Sequence, residues 1–180
     1  GGNTGDSATA MGRIWWLDLD SRYVTGDLTN FYRYFEPIQD DLLQHTWLTE
    51  RYNAQGQSIR APFYHEYPEI TAMILREMIY GIDIKIARVR IKPFGLNAYD
   101  YQLGNLAVYY RQARVRLHIP GHGERTYEIH GLLPHTAYAV STGQKITTDS
   151  NGTAIFDAPV GQTVILQTTA TLPSRPAAHK

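Results

Sequence analysis

The sequence predicts an α+β chain, with a helical amino-terminal part followed by an antiparallel β-sandwich. Two observations carry this: apolar spacing changes from about 3.6 residues to about 2 after Gly81, and turn residues then recur at short intervals as far as Thr169.

In the first element, Ser7 to Tyr23, the residues Ala10, Met11, Ile14, Trp15 and Leu17 to Leu19 recur at helical spacing. Asp6 or Ser7 is placed to cap it and Gly26 to stop it. A second helical pattern begins at Asp27, with Leu28, Phe31, Tyr34, Phe35, Ile38, Leu42 and Leu43 on one side. Pro37 falls inside and is expected to bend or divide it. Thr46 to Tyr67 loses periodicity and carries Asn53, Gly56, Ser58 and Pro62, which predicts a long loop and the place to seek chemistry. Pro68 suits the first turn of a third helix, Ile70, Met73, Ile74 and Met78 mark its faces, and Gly81 closes it.

Strands are expected at Ile84 and Ile86, Val89 to Ile91, Val115 to Ile119, Ile155 and Val164 to Leu166. Turns are expected at Pro93 to Gly95, Gly104 to Asn105, Pro120 to Gly123, Leu133 to Pro134, Gly143, Ser150 to Gly152 and Pro159 to Gly161. About eight or nine short strands fit this spacing. The domains read as 1–82 helical, 83–170 β-sandwich and 171–180 a flexible Pro, Ala and Ser rich tail. The first two helices carry apolar or aromatic residues around much of their circumference. Such helices are expected to be covered by further neighbours, as in a piece cut from a larger fold.

Composition narrows the partners. Lys plus Arg and Asp plus Glu are 17 each, so no basic excess is present to neutralise phosphates, and nucleic acid is not expected. No run approaches the roughly 18 apolar residues of a membrane span. Cysteine is absent, which removes thiol chemistry and leaves the compartment open, a secreted or periplasmic one slightly favoured. The seven histidines show no HExxH spacing and the glycines form no phosphate loop, so no metal and no cofactor are expected. Asn151-Gly152-Thr153 matches a glycosylation sequon but reads first as a hairpin turn. Thirteen Tyr and three Trp make carbohydrate a candidate ligand, because flat amphipathic rings stack on sugar faces.

The segment Thr46-Trp47-Leu48-Thr49-Glu50-Arg51-Tyr52-Asn53, followed by Gly56, stands after a helical hairpin and before the last helix. It resembles the Glu-Gln-Phe-Asp or Glu-Lys-Tyr-Asp segment in which six-hairpin glycosidases, such as glucoamylases, trehalases and processing glucosidases, hold their general base. The resemblance implies that residues 1–82 are the closing helices of an (α/α)6 six-hairpin barrel and that Glu50 is the base of an inverting glycoside hydrolase. The general acid would then come from the remaining amino-terminal part of the barrel, which becomes an expected partner beside the oligosaccharide or glycoside substrate. The chain departs from the family at Phe63-Tyr64-His65-Glu66-Tyr67-Pro68, where a Trp-Ser or Trp-Thr pair is usual.

Inverting hydrolysis needs two carboxyl groups about 6.5 to 9.5 Å apart, one protonating the leaving oxygen and one activating water. Beside Glu50, Trp47 and Tyr52 are placed to wall a sugar subsite, and Arg51 or Arg60 to bond hydroxyls or hold a carboxylate ionised. Glu66 is the reserve candidate, with His65 next to it, and Asp6 is a residue that either lines the site or caps the first helix. Two alternatives stay open: a sugar phosphorylase of the same architecture, and a noncatalytic carbohydrate-binding or structural module using Tyr99, Tyr101, Tyr109 and Tyr110.

Overall fold

Gly26 ends the first helix in a positive-φ conformation (φ 76°), which only glycine adopts without strain. The computed structural model describes residues 9–45, 48, 50–53, 58–60 and 66–169. Helix α1 (Gly12–Thr25) closes with Gly26 N–H bonded to the Tyr23 carbonyl at 3.3 Å and Asp27 N–H to the Arg22 carbonyl at 2.9 Å. This pairing satisfies two carbonyls that the helix end leaves over. Asp27 then caps α2 (Leu28–His45): its carboxylate accepts the Asn30 N–H at 3.3 Å and is tied back to Arg22 at 2.8 Å. Pro37 does not divide α2. Its missing N–H frees the Arg33 carbonyl, and both residues are exposed, so water can take up the lost bond.

The chain divides into two compact units, Gly1–Ile79 and Tyr80–Lys180. In the first, a strand β1 (Thr9–Met11) precedes α1, and β2 (Arg51–Asn53) and β3 (Ser58–Arg60) follow α2. The three form one antiparallel sheet in the order β1-β2-β3, with Met11 opposite Arg51 and Arg51 opposite Arg60. The predicted loop over 46–67 is thereby corrected, since it contains two of these strands. Strands of three residues are too short to show alternation, and the pairing is irregular between Arg51 and Tyr52. Helix α3 (Glu66–Met73) passes into a π-helical turn, Ile74–Ile79. Leu19, Phe31, Phe35, Leu48, Ile74, Met78 and Ile79 are buried, while Leu17, Val24 and Leu43 are exposed.

The second unit runs through β4 (Ile82–Ile84), β5 (Arg88–Ile91), β6 (Ala98–Leu103), β7 (Leu106–Arg111), β8 (Arg114–His118), β9 (Glu124–Ile129), β10 (Ala137–Val140), β11 (Lys145–Thr147), β12 (Ala154–Pro159) and β13 (Thr163–Thr168). A six-stranded sheet has the order β11-β10-β13-β8-β7-β6 and a four-stranded sheet the order β12-β9-β5-β4. Inner-face residues alternate with outer ones, as Leu106, Val108 and Tyr110 do on β7 and Val115 and Leu117 on β8. They build one core with Val89, Ile91, Tyr127, Ile129, Tyr138, Val164 and Leu166. Each fully buried aliphatic side chain of this kind contributes roughly 1.5 to 3 kcal/mol. The sandwich is not purely antiparallel, because β5 and β9 pair in parallel, with Val89 opposite Tyr127.

These observations overturn the six-hairpin expectation and the hydrolase-family assignment made with it. Among the described residues there are three helices and a π-helical turn against ten strands in the two larger sheets. The fold is mostly β, and no (α/α)6 barrel is seen. Helical spacing reports a local face only and cannot count hairpins; here α1 and α2 make one hairpin, and the segment after them returns to β1 as sheet.

Candidate functional site

Glu50 stands immediately before β2, between the fully buried Leu48 and Arg51. Its side chain is 26% exposed and that of Arg51 17%, with Glu50 Oε1 3.9 Å from Arg51 Nε. That separation is an ion pair without a hydrogen bond. Arg51 Nε is shielded from solvent and has no hydrogen-bond partner among the described residues. A buried donor left in this state is uncommon.

The small sheet brings the backbones of Arg51, Tyr52 and Arg60 together, since Arg60 lies opposite Arg51 and Ser58 opposite Tyr52. Glu66, the reserve carboxylate, opens α3. Trp47, His65 and Asp6 lie outside the described residues.

The tyrosines considered as a sugar platform divide between core and surface. Tyr99 and Tyr110 are buried and stack with ring centroids 5.3 Å apart, and Tyr80 packs on both Tyr99 and Tyr101. Burial pushes the Tyr99 hydroxyl well above the usual phenol range, and it pushes Tyr110 up to about 12. The Tyr110 hydroxyl donates to the His130 carbonyl at 2.8 Å. Tyr99, Tyr101 and Tyr110 are therefore packing residues, while Tyr109 is on the outer face of the sheet.

Two charged clusters in the second unit escape sequence reading. On the outer face of the six-stranded sheet, Asp100, Tyr109, Arg111, Arg114 and Arg116 line a depression of about 260 Å³. The Arg116 guanidinium carbon lies 3.8 Å from the centre of the Tyr109 ring. Arg111 Nη1 reaches Asp100 Oδ1 at 2.9 Å. On the other sheet, the buried carboxylate of Asp83 is 3.1 Å from both Lys85 Nζ and Arg90 Nη2, and the Glu128 carboxylate oxygen lies 2.6 Å from His130 Nε2. Neither cluster has a sequence motif, because its members come together only through strand register.

Among the described residues no group of three or more His, Asp and Glu is arranged to hold a metal ion. No protein-family model and no curated protein matches the chain.

Proposed function

We propose that the chain takes part in hydrolysis of a glycoside, with Glu50 as the carboxylate that activates water. The observation that supports this reading is the pairing of a half-buried carboxylate with a guanidinium whose Nε is shielded and unbonded. The proposal does not depend on an α/α barrel. Glu50 would accept a proton from water as the water oxygen attacks the anomeric carbon, and a second carboxylic acid would protonate the leaving oxygen. In this reading Arg51 Nε would donate to a hydroxyl of the sugar or to the attacking water. A phosphorylase is the weaker alternative, since a carboxylate at this position repels phosphate.

The sandwich serves as a structural support in this reading, because Tyr99 and Tyr110 are spent on its core. The test is turnover of aryl glucosides and α-linked glucose oligosaccharides by the full chain and its Glu50→Gln variant. A general base contributes roughly 10² to 10⁴ in rate, so kcat should fall by about that factor with the melting temperature unchanged. Wild-type activity in Glu50→Gln, or no hydrolysis of any glycoside by the native chain, overturns the proposal.

A further inference from the structure

The register of β7 on β8 places Arg111 directly opposite Arg114 and Tyr109 directly opposite Arg116. Like charges at directly opposed positions destabilise a sheet. Of these arginines only Arg111 has an ion-pair partner among the described residues, Asp100, and it also donates to the backbone carbonyls of Tyr99 at 2.8 Å and Tyr110 at 2.6 Å. Arg116 makes a cation–π contact with Tyr109, its guanidinium carbon 3.8 Å from the ring centre, which does not neutralise its charge. Arg114 is exposed and has no ion pair or hydrogen bond from its side chain among the described residues. Three guanidinium groups and one carboxylate thus share one depression, a local excess of two positive charges on a chain whose formal net charge is zero.

We infer that this depression binds a tetrahedral oxyanion, a sulfate or phosphate, either free or as an ester on a small saccharide. Guanidinium forks match such oxygens with paired donors, and charge-assisted bonds of this kind are the strong ones. Arg114 and Arg116 supply the donors. Arg111, locked to Asp100 and to two carbonyls, supplies field and shape. Tyr109 completes the lining. The site lies in the second unit and is argued independently of Glu50.

The test follows the arginine Nε–H signals of the labelled full chain by NMR at low ionic strength. Sodium sulfate, sodium phosphate and a sulfated disaccharide are titrated separately, against sodium chloride at matched ionic strength. Arg114 and Arg116 signals should shift saturably with sulfate or phosphate and not with chloride. Arg114→Gln should weaken binding roughly tenfold or more, as loss of a charge-assisted bond implies. Its melting temperature without ligand should equal or exceed that of the wild type, because the opposed Arg111 is relieved. Arg125→Gln, on the other sheet, should leave affinity unchanged. If Arg114→Gln does not fold, Arg116→Lys, which keeps the charge and loses the fork, should weaken binding likewise. Saturable binding of the inorganic ions identifies the free anion as sufficient, and binding of the disaccharide alone identifies the ester. Equal shifts in chloride, or unchanged affinity in both Arg114→Gln and Arg116→Lys, overturns the inference.

Discussion

The Tyr138 hydroxyl donates to the Gln112 carbonyl oxygen at 2.6 Å, joining β10 to the turn between β7 and β8. The Tyr138 phenol oxygen itself accepts the Leu133 N–H at 3.1 Å, so one buried phenol satisfies two backbone groups from separate loops. Tyr138→Phe keeps the ring and orphans both groups. It should lower unfolding free energy by about 1 to 3 kcal/mol, read from a urea midpoint at unchanged slope.

Tyr99 is the contrast. Its hydroxyl is buried without a hydrogen-bond partner among the described residues. Removing an unpaired polar atom relieves a desolvation penalty, so Tyr99→Phe should leave stability unchanged or raise it by about 1 kcal/mol. Turnover of any glycoside should not change. A loss of about 2 kcal/mol or more would show that the hydroxyl has a partner.

Gly152 has φ 71°, and a Cβ there would stand 2.1 Å from the Leu132 carbonyl oxygen. Leu132 N–H also donates to the Gly152 carbonyl at 2.9 Å, which holds the two segments at this distance. Gly152→Ala should therefore destabilise the sandwich by about 2 to 4 kcal/mol, through both the positive φ and the clash. Gly143→Ala, where nothing lies within 4 Å of the added Cβ, should carry only the φ strain and cost less in the same denaturation measurement.

Asp149 gives the fold a pH dependence of known sign. Its carboxylate accepts the Thr153 N–H at 2.8 Å and the Asn151 N–H at 2.9 Å, and these bonds, the Thr153 bond foremost, outweigh the opposing effect of desolvation and hold its pKa below the usual carboxylate range. A depressed folded-state pKa stabilises fully above the unfolded value of about 3.9 and is lost as pH falls through the folded value. Asp149→Asn keeps the acceptor oxygen and lacks the titration. The difference in melting temperature between the two proteins should be constant above about pH 5 and should change only below it. A difference that is the same at all pH values would show that the charge on Asp149 is irrelevant.

The local signals belong to the sequence. Gly26 announces a helix stop because only glycine tolerates the left-handed turn without strain, whereas the capping role of Asp27, which reads only as the start of the second helix, comes from its carboxylate accepting the Asn30 N–H. Gly104, Gly121, Gly123, Gly143, Gly152 and Gly161 adopt positive φ at turns that their neighbours already mark. The period of 2 at Val115, Leu117 and Ile119 fixes which side chains face the core, since one side of each strand must leave water. What the chain could not reveal alone is pairing. The two-residue Gln112-Ala113 turn has neither Gly nor Pro, so the opposition of Arg111 to Arg114 is invisible until the hairpin closes. β2 and β3 are three residues each, shorter than any pattern can register, so Glu50 reads as part of a loop although it abuts a sheet. The parallel contact of β5 with β9 and the count of helices likewise depend on partners distant in sequence. Propensity and periodicity act over a few residues, whereas register and topology are decided by which faces bury one another in the folded unit.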